Sequence, residues 1–142
     1  MKYKIAPMTL DRHKELIEFW KSIEGLWQSD DDDYENLKVF LERNPGLNFI
    51  VLDNKKLIAT LKCSHDGRRG YFHHLAVNPE YRKQDIAREL VDMCTKKLKE
   101  AGITRYRVFV LDNNPNAIEF WKHIGFEEQV YDYRTLQKDV KI

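Results

Sequence analysis

The stretch from Leu75 to Ala87 holds the residue types best suited to chemistry. An apolar strand, Leu75-Ala76-Val77, runs into the polar loop Asn78-Pro79-Glu80-Tyr81-Arg82-Lys83-Gln84 and then into a helix opening near Asp85-Ile86-Ala87. Two cations and an amide directly precede the first helical turn. Free backbone N–H groups, the positive end of the helix dipole and the Arg82 and Lys83 charges would together bind an anion such as a pyrophosphate. The competing reading is an ordinary strand–loop–helix turn with solvated charges, and the residues alone leave both open.

Hydrophobic periodicity outlines the elements that must position this loop. Tyr3–Ile5 reads as a short opening strand. Thr9 can cap a first helix in which Leu16, Trp20 and Ile23 recur at helical spacing and which Gly25 stops. After the acidic run Asp30-Asp31-Asp32-Asp33, Tyr34, Leu37 and Leu41 line one face of a second helix. Leu47–Leu52 and Leu57–Cys63 read as strands joined by a turn at Asp53-Asn54-Lys55-Lys56. Tyr71–Val77, free of formal charge, reads as a central fourth strand. A third helix spans about Asp85 to Ala101, with Gly102 placed for a left-handed C-terminal residue. Tyr106–Leu111 is a fifth strand, and Asn114 with Pro115 opens a fourth helix that ends at Gly125. Phe126–Leu136 is expected to add a last strand or two. Consecutive hairpins imply antiparallel pairing, and strand–helix–strand between residues 71 and 111 implies a parallel crossover. The expected class is α/β (α+β), a mixed and mostly antiparallel sheet with helices on both faces.

Composition narrows the function classes. The chain has 142 residues, 42% of them hydrophobic and 12% aromatic, which excludes a disordered linker and suits one domain over residues 1–142. Lys+Arg 24 against Asp+Glu 23 leaves a net charge of +1, without the field that a dedicated nucleic-acid or anionic-membrane binder relies on. The longest stretch free of Asp, Glu, Lys and Arg runs only from Gly70 to Pro79, too short to span a bilayer. Lys2, Lys4, Asp11 and Arg12 interrupt any candidate signal peptide. Cys63 and Cys94 fit no metal or redox spacing and make a poor disulfide framework. A cytoplasmic protein is expected.

Val77-Asn78-Pro79-Glu80-Tyr81-Arg82-Lys83-Gln84-Asp85-Ile86-Ala87 resembles motif A of the GNAT superfamily of N-acetyltransferases, a loop of the form V-x-P-x-Y-R-x-x-G-x-A/G. Downstream, Asn114-Pro115-Asn116-Ala117-Ile118-Glu119-Phe120-Trp121-Lys122-His123-Ile124-Gly125-Phe126 is similar to the family's N-x-x-A-x-x-[FL]-Y-x-x-x-G-F. The element order matches as well, so the resemblance covers nearly the whole chain. The Asp66-Gly67-Arg68-Arg69-Gly70 turn is similar to that of small uncharacterised bacterial acetyltransferases, and the size to that of ribosomal-protein alanine acetyltransferases.

The resemblance implies a fold with splayed fourth and fifth strands and acetyl-CoA as co-substrate in the gap, with no metal. Leu75, Ala76 and Val77 would hold the pantetheine by main-chain bonds. Arg82, Lys83, Gln84, Asp85, Ile86 and Ala87 would take the pyrophosphate. Asn114 would bond the cofactor, or serve only as a helix cap. Two residues depart from the pattern. Asp85 brings a carboxylate and a Cβ where the family keeps a glycine. Trp121, in the wall beside the cofactor, replaces the tyrosine that protonates the departing thiolate, and an indole has no titratable proton.

A thiol with pKa near ~8.5 leaves readily as the anion, whereas an amine near ~10.4 is protonated at neutral pH, so a general base matters more than a general acid. His73 resembles the second histidine of the H-x-H-x-L-A-V strand of serotonin N-acetyltransferases, with Tyr71 in the place of the first. Strict alternation puts Tyr71, His73 and Leu75 on one face and Phe72 and His74 on the other. His73 and Tyr71 are therefore the catalytic candidates, and His74 reads as structural. The acidic run reads as a solvated loop. The resemblance gives it a second reading, in which Asp30, Asp31, Asp32 and Asp33 border the acceptor site and favour a cationic acceptor. Trp20 and Trp27 would line that site or pack in the core. His13, His65 and His123 read as surface residues. The expected activity is acetyl transfer to a primary amine (a small cationic amine or a protein N-terminus) by direct attack in a ternary complex, in a monomer or homodimer. The rival is a silent acyl-CoA-binding module on the same fold.

Overall fold

A computed structural model describes residues 2–26, 28–130 and 134–140. Strand β1 (Lys4–Pro7) leads through a 3-10 turn (Leu10–Arg12) into helix α1 (His13–Ser22). A second 3-10 turn (Asp30–Asp32) precedes α2 (Tyr34–Arg43). Strands β2 (Phe49–Asp53), β3 (Lys56–His65) and β4 (Gly70–Val77) follow, then α3 (Ile86–Glu100), β5 (Tyr106–Val108) and α4 (Pro115–His123). The strands form one sheet in the order β1-β2-β3-β4-β5. Pairing is antiparallel from β1 to β4, and β5 lies parallel to β4. Each face of the sheet carries its own core. Val51, Leu61 and Phe72 meet Leu90 and Leu98 of α3 and Trp121 of α4 on one side. Ile50 and Ala76 meet Leu16 and Trp20 of α1 and Leu37 of α2 on the other. No helix among the described residues is long and apolar enough to cross a membrane.

Two features of β4 determine what the sheet can hold. Its pairing with β5 spans only Gly70–Phe72, so beyond Phe72 the two strands part and the main chain of His73–Val77 has no partner from β5. The close start of this pairing needs a glycine: a Cβ on Gly70 would lie 2.7 Å from Leu98 Cδ1. β4 also carries a bulge. Thr60 is opposite Ala76 but Lys62 is opposite His73, so one extra residue sits in β4, and His74 adopts a left-handed φ of 48°.

The bulge overturns the expected alternation. His74 crosses to the α1–α2 face beside His73, and Leu75 moves to the α3 face with Phe72 and Val77. A period of two holds only for an unbulged strand. β3 rather than β4 is the middle strand, and it buries Lys62. The strand expected over Phe126–Leu136 is absent from 126–130 and 134–136, and Tyr131, Asp132 and Tyr133 lie outside the described residues. Phe126 packs on Phe72 and Trp121, but beyond it Val130 and Leu136 are 89% and 92% exposed and bury little apolar surface that would offset the entropy of ordering a strand. Thr9 precedes the 3-10 turn but makes no side-chain cap. Cys63 and Cys94, remote in sequence, meet in the core. A hydrogen bond with Cys63 and burial both push the Cys94 thiol up.

Candidate active site

The separating strands open a cavity of about 1190 Å³ that reaches the starts of α3 and α4. On the α3 side its wall is mainly backbone. Asn78 accepts from the Glu80 N–H at 2.9 Å and starts the turn at Pro79–Tyr81. The Tyr81 hydroxyl donates to Asp53 Oδ2 at 2.7 Å, a bond that pushes its pKa up to about 12 and ties the turn to β2. Arg82 turns back, its Nε donating to the Val77 carbonyl at 3.2 Å. Lys83 and Asp85 both take φ near 62°, a left-handed conformation that asparagine and aspartate tolerate better than most residues. The loop therefore keeps the backbone a glycine would give, with Asp85 in its place. Asp85 makes no capping bond, and the N–H groups of residues 83–88 meet no acceptor among the described residues. These donors, with Arg82 and Lys83 beside them, suit a pyrophosphate.

The other walls are more mixed. Asn114 Oδ1 caps Ala117 N–H at 3.3 Å, while Gly25 lies so close to Asn114 Nδ2 that a Cβ there would sit 2.8 Å away. Trp121 is 5% exposed and packed on Phe72 and Phe126 at 5.6 and 4.9 Å between ring centres. Its indole N–H has no acceptor among the described residues. Of the residues assigned to the cofactor, Gln84 stands outside the wall, accepting from the Tyr3 hydroxyl at 3.1 Å. Tyr71 is also outside it, stacked on Phe109 at 6.3 Å.

On the α1–α2 side, His73 and His74 border the cavity in quite different settings. His73 Nε2 lies 3.4 Å from Ser64 Oγ, and its ring meets Phe40 edge-on. Burial, the Lys62 ammonium and His74 depress its pKa from 6.5 to about 4, so it is neutral across the neutral range. His74 Nε2 lies 2.6 Å from Asp32 Oδ2. Asp32 Oδ1 takes Lys62 Nζ at 3.0 Å, and both partners of that ion pair are about 5% exposed or less. Burial alone would raise the Asp32 carboxyl, but the bond with His74 and the Lys62 charge outweigh it and hold the group below its ordinary value. The Lys62 ammonium also sits over the Phe40 ring at 4.5 Å.

This network corrects the reading of the acidic run. Asp32 is consumed inside the protein and is not available to a substrate, because its two carboxylate oxygens already serve Lys62 and His74. Asp30, Asp31 and Asp33 are exposed, and none of the four borders the cavity. Trp20 is a core residue, fully buried and donating to Thr60 Oγ1 at 2.8 Å. Trp27 lies outside the described residues. His13 is no free surface residue, since its Nε2 bonds the Asp32 carbonyl at 2.8 Å. Sequence reasoning missed Lys62 and the pairing of Asp32 with His74. Lys62, the one charged residue in the stretch Leu57–Cys63, was the available signal.

A main-chain cleft between parting strands, ending at an uncapped helix N-terminus, is the geometry that the motif resemblance implied. Residues 13–126 match the model of the acetyltransferase (GNAT) family. The chain belongs to that family. It is 26% identical over 121 residues to an acetyltransferase of Yersinia pestis (strain Pestoides F), covering 84% of both chains. Its fold is similar to the PaiA N-acetyltransferase of Thermoplasma acidophilum, crystallised with coenzyme A (TM-score 0.78, 21% identity, 93% of this chain and 94% of that one). It is also similar to an aminoglycoside 6'-N-acetyltransferase of Acinetobacter haemolyticus (TM-score 0.76, 18% identity, 96% and 99%). This GNAT protein is an acyltransferase with acetyl-CoA as co-substrate.

Proposed function

We propose that the protein transfers the acetyl group of acetyl-CoA to a primary amine, a small cationic amine or a protein N-terminus, by direct attack in a ternary complex. The observation that carries this reading is the cleft itself. It has main-chain donors at residues 83–88 on one side of the sheet and two histidines at its border with the other.

Bound acetyl-CoA supplies an activated thioester. Arg82, Lys83 and the amides of Asp85, Ile86 and Ala87 hold its pyrophosphate. The β5-facing edge of the main chain at Leu75, Ala76 and Val77, which has no strand partner on that side, pairs with the pantetheine as an added strand would, and a β4 N–H near Val77 polarises the carbonyl. A β4 histidine accepts the amine proton. The Trp121 indole can donate a hydrogen bond toward the departing sulfur but cannot give up a proton, so CoA leaves largely as the thiolate. A neighbour that shares this fold is an aminoglycoside 6'-N-acetyltransferase, in keeping with an amine acceptor.

The test is thiol release from acetyl-CoA in the presence of spermidine, an aminoglycoside and an unblocked alanyl peptide, together with calorimetric titration of acetyl-CoA. Amine-dependent release is the expected result. Tight binding without release would make the chain a silent acyl-CoA-binding module instead.

A further inference from the structure

We infer that His74, not His73, takes the proton from the attacking amine, and that Asp32, buried against Lys62, is its positioning residue. This inference rests on the acetyl-transfer reading above.

His74 is held at its carbonyl and at one of its two ring nitrogens. Its carbonyl accepts from Thr60 Oγ1 at 2.9 Å, and that hydroxyl in turn accepts from Trp20 Nε1 at 2.8 Å. The Trp20 ring meets the imidazole edge-on at 4.8 Å. Nε2 lies against Asp32 Oδ2. Asp32 is itself fixed through Lys62 Nζ on its other oxygen and through His13 on its carbonyl. Three elements besides β4 thus hold one side chain whose left-handed backbone is otherwise unfavourable. Strain of that kind persists where the surroundings over-determine it, and it concentrates at functional positions.

The atom left over is Nδ1, which has no partner among the described residues, and His74 borders the cavity. The tautomer follows from chemistry. An ionised carboxylate only accepts, so Nε2 carries the hydrogen and Nδ1 of the neutral ring carries the lone pair. As the amine nitrogen bonds to the acetyl carbon, its proton passes to Nδ1. The C–S bond breaks with its electron pair on sulfur. The proton then leaves Nδ1 for the thiolate or for water, and the neutral ring returns.

The adjacent histidine lacks this support. Protonating His73 would place a cation beside the Lys62 ammonium, with only the Ser64 hydroxyl against its Nε2. Protonating His74 places one 2.6 Å from a buried carboxylate. The charged and titratable groups around the pair are Asp32 and Asp31 from the 3-10 turn, Lys62 from β3 and, through the Asp32 carbonyl, His13 from α1. The uncharged rings packed on the pair are Trp20 from α1 and Phe40 from α2.

The deciding experiment compares His74→Gln and His73→Gln with the amine that wild type acetylates fastest among spermidine, an aminoglycoside and an alanyl peptide. We expect His74→Gln to lower kcat by roughly 10²–10⁴-fold with acetyl-CoA binding unchanged, and His73→Gln to stay within about five-fold of wild type. Added imidazole should restore part of the activity of His74→Ala. The reverse ranking, or a His74→Gln enzyme within a few-fold of wild type, overturns the inference.

Asp32→Asn alone would leave Lys62 unpaired and could fail to fold, so its role is read in Asp32→Asn combined with Lys62→Met. There kcat should fall while KM for acetyl-CoA holds. Nitrogen NMR of labelled histidine should show the Nε2–H tautomer of His74 in wild type and a mixture in the double variant. An Nδ1–H tautomer in wild type contradicts the inference even if no amine is acetylated. The latter result, taken alone, would instead remove the acetyl-transfer reading.

Discussion

On the α3 side of the sheet the site is made of backbone: the free amides of residues 83–88 and the β5-facing edge of β4 past Phe72, which has no strand partner there. On the α1–α2 side it is made of side chains drawn from a turn, two strands and a helix, namely Asp32, Lys62, His74 and Trp20. Backbone donors survive most substitutions as long as the chain keeps its path, so Asp85 can replace glycine by adopting the same φ near 62°. A buried charged network has no such tolerance, because each member depends on the others for its desolvation to be offset. The first design suits a co-substrate shared by many enzymes, and the second suits chemistry particular to one.

The sharpest break between the two sides should appear in stability. Asp32→Ala strands the Lys62 ammonium and the His74 N–H in the interior, and we expect a loss of about 3–5 kcal/mol in urea unfolding at pH 7. Lys83→Ala, on the exposed loop, should stay within about 0.5 kcal/mol of wild type. A loss below about 1.5 kcal/mol for Asp32→Ala would show the network to be loosely built.

The pH dependence separates the sides next. His73 titrates near 4 in the folded protein and at 6.5 as an ordinary histidine. Between those values the unfolded chain binds the extra proton, so stability falls as pH is lowered, by about 1.4 kcal/mol per pH unit from this one group at most. Asp32, lowered from 3.8, adds its own loss below that pH. His73→Gln should flatten the decline between pH 6.5 and 4 in melting curves. An unchanged slope would mean that His73 is not shielded from protonation.

How much of this was legible follows the same division. The cofactor side was readable because its signals are local: Pro79, Tyr81 and Arg82 lie within one loop, and Asn114 and Pro115 mark a helix start. Gly102, at φ 85°, ends α3 where the pattern put it. The other side was not readable. Asp32, Lys62 and His74 come together through tertiary packing alone, and the bulge that turns His74 to the α1–α2 face leaves no mark on the composition of β4. Counting residues in twos therefore groups Leu75 with His73 and His74 with Phe72, whereas the structure puts His73 with His74 and Leu75 with Phe72. The absence of a strand from residues 126–130 and 134–136 is a related case, since alternating residues form a strand only where an edge and a core receive them.

Two smaller effects sharpen the contrast. The Asp85 carboxylate faces the proposed pyrophosphate site without capping its helix. Like charges about 6 Å apart at an effective dielectric near 20 repel by around 2–3 kcal/mol before screening. Asp85→Gly should therefore tighten acetyl-CoA binding several-fold by calorimetry. Because φ is already left-handed, the melting temperature should hold or rise slightly. Weaker binding would mean that the carboxylate pairs with a neighbouring cation instead. Smallest of all, replacing the exposed Asp30, Asp31 and Asp33 by Asn should change KM for cationic amines by less than about two-fold at physiological salt. A larger, salt-sensitive rise would bring the acceptor path across the acidic run.

The most direct measurement follows isotopically labelled acetyl-CoA through one reaction with spermidine, an aminoglycoside and an alanyl peptide, counting free thiol and labelled N-acetyl product together. We expect wild type to form the two in equal amounts with at least one of these amines, and His74→Gln to form neither at a comparable rate while still binding acetyl-CoA. Thiol without N-acetyl product, or bound acetyl-CoA that no amine discharges, would contradict acetyl transfer at the β4 histidines.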